Sequence, residues 1–294
     1  MMLQTIFVSP HPAGNCQLIL GSHSAILMDC GISFCAVETV EQIKKTLGCR
    51  PLSAIILSHS HYDHITGLPW IRQAFPDVPV YAHPYTKAVF AKAGALATIQ
   101  QLCRNAQMLY GAPFHGGDFS NAQLETTHLL TDGKTLPFDD SYLQVIFTPG
   151  HTKDAVSVDF PSEKITWICE TLGVPRPDGR VQPCFLSSYL DTLNSLERIS
   201  HLGERQYIVS HTSGVLSLAQ SAEFLALSQE AVTHSAELIA ELFRTGKDYD
   251  GIFEGYAKQY WSELYRPVWP FEAFSMNTAA AIKAVLNELC GQQL

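Results

Sequence analysis

The chain has no cysteine pair spaced C-x-x-C, although it contains eight cysteines: Cys16, Cys30, Cys35, Cys49, Cys103, Cys169, Cys184 and Cys290. Their irregular spacing reads as reduced, mostly buried thiols of a cytosolic protein rather than a disulfide framework. No apolar run approaches the ~18–20 residues needed to span a bilayer. The opening MMLQTIFVSPHPAG lacks the basic n-region and long apolar h-region of a secretory signal. The chain also lacks an excess of basic residues: its net charge is −9 with histidine neutral. A surface that tracks phosphates is normally basic, so this charge argues against a nucleic-acid partner. Internal repeats, low-complexity tracts and heptad zippers are absent as well. These absences point to a soluble, cytoplasmic protein with neither a membrane nor a nucleic-acid role.

What remains is an ordinary globular composition, 46% hydrophobic and 16% charged over 294 residues. That is enough for one large α/β unit with an appendage. TIFVS, CQLILG and AILMDCG read as strands separated by the turn-forming PHPAGN and SHS. AVETVEQIKKTLG has helical periodicity and ends on Gly48, where a C-cap would sit. LSAIILSH is a nearly continuous apolar run and reads as a buried strand. LPWIRQAF and Pro84 to Tyr110 look helical, with the strand VPVYAH between them. The glycine-rich loop GAPFHGGDFSN comes next. LETTHLL, YLQVIFT, AVSVDF, KITWIC and QYIVSH read as further strands, and DTLNSLERISHLG as a helix. From Leu216 onward the pattern is helical, with a long amphipathic helix ending at Gly246. The expected division is a mixed α/β domain over residues 1–215 and a helical C-terminal cap over 216–294.

The chemistry concentrates in ILSHSHYDHITG, which places His59, His61, Asp63 and His64 just past the buried strand. Neutral imidazoles and carboxylates are good ligands for a divalent metal, and residues in a loop after a strand can converge on one point. His59 and His61 can face one centre from an extended segment, while Asp63 and His64, at the turn into a helix, reach a second.

HSHYDH matches the HxHxDH motif of the metallo-β-lactamase superfamily. TPGHT, from Thr148 to Thr152, resembles that family's second motif and supplies His151. WICET resembles the strand end that carries its bridging acid, here Glu170, and YIVSHTSG resembles the final motif, supplying His211. LMDCG resembles its Asp-x-Gly turn at Asp29 to Gly31. The resemblance covers residues 1–215 and implies an αββα sandwich with two divalent metal ions at the loop edge of its sheets. One ion would take His59, His61 and His151, the other Asp63, His64 and His211. Glu170 would bridge them, or bind one ion only, since the family's usual bridging acid is aspartate. SHTSG also departs from the family's usual final loop. The ligand set suits zinc first, with iron or manganese as alternatives. The resemblance implies hydrolysis by a metal-bound hydroxide, with Asp63 as the catalytic group that orients the nucleophile or carries a proton to the leaving group.

Branches of the family that need an export signal, an inserted nuclease domain or a flavin domain do not fit this chain. The layout is similar to that of glyoxalase-II-like thioesterases, and most of all to quinolone-signal-response-type thioesterases. It implies a small-molecule acyl thioester as substrate. Lactone or phosphodiester hydrolysis on the same site, or a ligand-sensing regulator with weak hydrolysis, are the alternatives. His83, His115, His128, His201 and His234 read as structural or solvent-exposed, with the loop around His115 placed to overhang the site. Asp29 reads as serving the fold. The C-terminal aromatics Phe253, Tyr256, Tyr260, Trp261, Tyr265, Trp269, Phe271 and Phe274 read as helix packing, as an apolar pocket, or as the face of a homodimer.

Overall fold

The computed structural model describes residues 3–119, 123–266 and 269–292. The last two residues of the glycine-rich loop, Ser120 and Asn121, lie outside the described residues. Two compact units emerge, and they interleave along the chain. The first comprises Met1–Phe147, Val156–Trp167 and Ser210–Val215, and the second Thr148–Ala155, Ile168–Val209 and Leu216–Leu294.

The first unit is built on a sheet of β1 (Gln4–Phe7), β2 (Gln17–Leu20), β3 (Ala25–Met28), β4 (Leu52–Ile56), β5 (Val80–Ala82) and β6 (His128–Leu129), in that spatial order. β1 to β3 run antiparallel, as their short connections require, and β3 to β6 run parallel. Parallel neighbours need crossovers, supplied here by helices. The connections are α1 (Ala36–Leu47) after β3, then α2 (Tyr62–Ile65) and α3 (Leu68–Ala74) after β4, and α4 (Pro84–Phe90) and α5 (Ala93–Tyr110) after β5. β2 and β3 are buried at every position, which explains why QLIL and AILM do not alternate polar with apolar. On α1, Ala36, Thr39, Ile43 and Leu47 form the buried stripe, and Gly48 ends the helix with φ 57°, a conformation costly for residues with a Cβ.

The stretch from Pro84 to Tyr110, expected as helical, forms two helices. Ala91 closes α4, and Lys92 turns extended before α5 begins. The second sheet of this unit takes β7 (Thr135–Phe138), β8 (Ser141–Phe147), β9 (Val156–Phe160) and β10 (Ile165–Ile168), consecutive strands paired antiparallel. The two sheets meet where the Trp167 indole N–H donates to the Gln17 side chain and the Val156 N–H donates to the Ser58 carbonyl at 2.8 Å.

The second unit is largely helical. A short hairpin of β11 (Val174–Pro175) and β12 (Val181–Gln182), which the sequence pattern does not announce, precedes α6 (Tyr189–Ser200) and β13 (Gln206–Val209). α7 (Leu218–Arg244), α8 (Tyr249–Tyr260) and α9 (Phe271–Leu289) follow. α7 starts at a reciprocal capping box between Ser217 and Gln220, which satisfies two N–H groups that a helix start otherwise leaves unbonded. α9 is tied to α6 through Glu288, whose carboxylate accepts from the first N–H groups of α6, on Tyr189 and Leu190, both at 2.9 Å. That is the favourable end of a helix dipole for an anion. The C-terminal aromatics pack on one another: Phe274 is fully buried and lies within ring-contact distance of Tyr256, Trp261, Trp269 and Phe271. No helix among the described residues is long and apolar enough to cross a membrane.

Candidate metal centre

Three elements of the first unit carry the expected ligands: the loop after β4, the short helix α2 and the segment around His211. Two parallel strands end side by side here. β3 runs out into Asp29, which has φ 60°, and β4 runs out into Ser58 and His59. The turn Asp29–Gly31 is laced to α2. The Cys30 N–H donates to the His64 carbonyl at 2.6 Å, the Gly67 N–H donates to the Gly31 carbonyl at 3.1 Å, and Gly31 bridges Ile65. An added Cβ on Gly67 would stand 2.0 Å from the Cys30 carbonyl oxygen, so only glycine permits this approach. The lacing seats the His64 ring on the Asp29 carboxylate.

Asp29 is fully buried and accepts from His64 Nδ1 at 2.7 Å, the Ser58 N–H at 2.7 Å, the Ser58 hydroxyl at 2.8 Å and Asn15 Nδ2 at 2.7 Å. A carboxylate with four donors is well satisfied away from water. Asn15 also uses its side-chain oxygen to accept the backbone N–H of His211 at 2.9 Å. His211 itself has φ 59°, a region non-glycine residues seldom occupy, and its Nδ1 lies 3.2 Å from the Pro12 carbonyl oxygen.

These anchors decide where the protons sit. A carboxylate and a carbonyl only accept, so the Nδ1 atoms of His64 and His211 donate. In each neutral ring the lone pair is then on Nε2. Those two Nε2 atoms face each other at 3.2 Å, and each stands 3.6 Å from Asp63 Oδ2. Ligand atoms about 2.0–2.2 Å from a tetrahedral zinc-sized ion stand about 3.3–3.6 Å apart. With both rings neutral, three electron-rich atoms therefore converge at the spacing of ligands around one cation. Asp63, His64 and His211 could hold a metal ion. Anchoring the far ring nitrogen on a carboxylate or carbonyl is the usual way a ligating histidine is oriented.

His59 is fully buried beside them, its ring 4.0 Å from that of His64 and 4.6 Å from that of His61. The Ser58 hydroxyl gives its hydrogen to Asp29, so it accepts from His59 Nδ1 at 3.0 Å. That again leaves Nε2 with the lone pair.

In the second unit His151 and Glu170 stand together. Gly150 (φ 137°) packs so closely on Thr192 that no side chain fits there. The loop is held further by the Ser195 hydroxyl on the Pro149 carbonyl at 2.7 Å and the Thr171 hydroxyl on the Thr148 carbonyl at 2.6 Å. His151 Nδ1 donates to the Cys184 carbonyl at 2.7 Å, and its Nε2 lies 2.8 Å from Glu170 Oε2. That separation is one a hydrogen on Nε2 or a shared cation would span. Glu170 opens a short 3-10 turn straight after β10.

The remaining histidines do other things. His83 caps α4 and lies against Phe147, His128 lies against Tyr81, and His234 bonds the Tyr260 hydroxyl. Asp29 does more than hold the fold, because it fixes the His64 ring. Asn15 and Ser58 belong to the same network. In sequence Ser58 directly precedes HSHYDH, while Asn15 ends the turn PHPAGN, twelve residues before LMDCG.

A profile of the metallo-beta-lactamase superfamily matches residues 11–211. The chain is 31% identical over 155 residues to the probable metallo-hydrolase YflN of Bacillus subtilis, covering 48% of this chain and 53% of that protein. It is 25% identical over 208 residues to the hydroxyacylglutathione hydrolase of Buchnera aphidicola, covering 71% of this chain and 64% of that protein. The chain thus spans roughly half to two thirds of the length of these curated relatives. In structure it resembles a metallo-beta-lactamase family protein from Thermus thermophilus, with TM-score 0.63, 17% identity and coverage of 97% of this chain and 92% of that one. The α/β architecture, the ordered motifs and the profile match agree: this chain belongs to the metallo-beta-lactamase superfamily.

Proposed function

We propose that the chain is a metal-dependent hydrolase of a small-molecule acyl thioester. The observation that carries this reading is the convergence of Asp63 Oδ2, His64 Nε2 and His211 Nε2 at 3.2–3.6 Å. With both rings neutral such an arrangement is repulsive, and a metal ion or a proton on one ring nitrogen relieves it. In this reading Asp63, His64 and His211 of the first unit would hold one divalent ion, and His151 of the second unit would serve a second. Glu170 ligates with His151, its neighbour at 2.8 Å. A divalent ion held there would supply acidification of a water and polarisation of the acyl oxygen.

The chain's own residues supply the rest. His64 and His211 keep fixed tautomers through Asp29 and Pro12. Asp63, whose side chain is 18% exposed, reaches solvent and acts as the proton carrier in this reading. It takes the proton of the attacking water. A C–O bond forms to the acyl carbon, the C–S bond breaks, and Asp63 returns the proton to the departing thiolate. The relative named hydroxyacylglutathione hydrolase supports this substrate class. None of the eight cysteines is in a disulfide, which supports a reducing compartment such as the cytoplasm.

The test is a panel of acyl-CoA and acyl-glutathione thioesters, with lactones and a chromogenic phosphodiester beside them, offered to zinc-, iron- and manganese-loaded protein. Turnover confined to thioesters supports the proposal. A chain inert to thioesters in all three metal forms, or active only on lactones or the phosphodiester, contradicts it.

A further inference from the structure

The β11–β12 hairpin of the second unit carries two buried polar side chains, Arg176 and Gln182, only 7% and 3% exposed. Among the described residues no acceptor reaches Arg176 Nη1 and no donor reaches Gln182 Oε1. Across the hairpin Val174 faces Gln182 and Pro175 faces Val181. The Arg176 N–H donates to the Arg180 carbonyl at 2.8 Å, which carries the ladder one pair further. Side chains alternate along a strand, so Val174, Arg176, Arg180 and Gln182 belong to one face. Arg176 and Gln182 are then diagonal neighbours, about 7–8 Å apart at the backbone, a gap that long side chains reach across.

The rest of the Arg176 guanidinium is committed. Its Nε donates to the Tyr265 hydroxyl and its Nη2 to Asp178 at 3.1 Å, and the Tyr265 hydroxyl passes its own hydrogen to Asp178 at 3.0 Å. Asp178 also takes Arg180 Nη2 at 2.8 Å. Two guanidinium charges thus share one carboxylate, and the hairpin keeps one positive charge over. A buried, charged N–H without an acceptor is costly, so an anion there would be held firmly. The Gln182 amide can turn by 180° and place its NH2 group where its oxygen lies. One charged and one neutral donor can then face the same anion. The hairpin is also strung between two supports of the candidate centre. The Gly173 N–H donates to the Glu170 carbonyl at 2.8 Å, and an added Cβ on Gly173 would stand 2.7 Å from the Gln182 carbonyl oxygen. Just past Gln182, the Cys184 carbonyl takes His151 Nδ1.

We propose that Arg176 Nη1 and the Gln182 amide bind the carboxylate of a small organic acid. A single negative charge matches the one left over on the hairpin. A phosphate, with nearly two charges at neutral pH, would need more donors than one guanidinium nitrogen and one amide. The carboxylate is either carried by the substrate, a source that rests on the hydrolase reading, or belongs to a separate acid. The binding claim itself stands apart from that reading.

The experiment is calorimetric titration of the whole, zinc-loaded chain with butyrate, its neutral amide butyramide, and inorganic phosphate. It is repeated with Arg176→Met and Gln182→Leu, with unfolding midpoints recorded for each. The wild-type chain is expected to bind butyrate about tenfold more tightly than either competitor. Arg176→Met should abolish that preference. Gln182→Leu, which breaks no side-chain hydrogen bond among the described residues, should keep or raise the midpoint and weaken butyrate by about threefold to tenfold. Butyrate bound no better than butyramide or phosphate, or an affinity that Gln182→Leu leaves unchanged, overturns the proposal; butyrate held by the zinc would give that second result. Turnover of succinyl- and butyryl-N-acetylcysteamine separates the two sources. For a carboxylate on the substrate, Gln182→Leu should raise KM for the succinyl thioester alone, with kcat unchanged; for a separate acid, both KM values should stay as they are. A Gln182-dependent butyrate preference without thioester turnover would leave the site standing and remove the hydrolase reading. Thioester turnover without the preference would do the reverse.

Discussion

Replacing Asp29 by asparagine isolates the part of the site that lies behind the ligands. The choice of asparagine matters, because the residue sits at φ 60° and asparagine tolerates that region better than alanine. Shape and backbone are preserved while the charge and one acceptor are lost. In the native chain Oδ1 takes the Ser58 N–H, and Oδ2 takes Asn15, the Ser58 hydroxyl and His64 Nδ1. With the amide oxygen in the Oδ2 position, the new NH2 group faces the Ser58 N–H, donor against donor. One buried unsatisfied donor costs about 1–3 kcal/mol. The other three bonds fall from charge-assisted to neutral strength, roughly half. The metal-free chain should therefore lose about 2–4 kcal/mol of stability, allowing for partial relaxation. Metal affinity should fall about 10–100-fold, because His64 loses the anion that holds its tautomer and raises its basicity. Competition against a chelator of known affinity measures the second effect, and urea denaturation of chelated protein the first. An Asp29→Asn chain that binds metal within twofold of wild type would refute the claim that Asp29 prepares His64 as a ligand.

Other outcomes follow from the same geometry. Gly67→Ala should lower stability by about 1–3 kcal/mol and weaken metal binding, because its Cβ must push the Cys30 carbonyl from 2.0 Å; an unchanged unfolding midpoint would count against the close lacing of α2. Phe274→Ala should cost about 3–5 kcal/mol in the second unit, measured by denaturation. A value below about 1 kcal/mol would mean that the C-terminal rings are not helix packing. Burial pushes the Cys35 and Cys103 thiols up to about 11 from the ordinary 9.0, so the folded chain holds protons that the unfolded chain releases. The stability contributed by the protonated thiols is fully present below pH 9. It falls between pH 9 and 11 by up to about 1.4 kcal/mol per pH unit for each thiol. A flat stability profile over that window, measured in urea, would contradict their burial. A thiol reagent at neutral pH should label exposed Cys49 first, with Cys290 next.

Local signals in the chain translated well into structure. Gly48 ends α1, Ser217 and Gln220 start α7, and the unbroken apolar runs of β2 and β3 are buried on both faces, because each depends on neighbours within a few residues. The break between α4 and α5 left no trace of that kind, since Ala91 and Lys92 are ordinary helix residues. At the site, the histidines were legible from HSHYDH and its partners. The residues that prepare them were not: Asp29 meets His64 across 35 positions, and Asn15 meets His211 across 196. Such pairings are set by which strands lie side by side, not by sequence spacing. Interleaving of the two compact units is likewise invisible to composition, because Thr148–Ala155 and Ile168–Val209 carry no linker-like stretch.

The central claim is that this chain binds two divalent ions, one of them through Asp63, His64 and His211. Elemental analysis of protein purified without chelator or added metal tests it most directly, beside a His211→Ala variant shown to be folded. The account predicts two ions per chain in the wild type and one in the variant. A wild-type chain without stoichiometric metal, or a variant that keeps both ions, would contradict it.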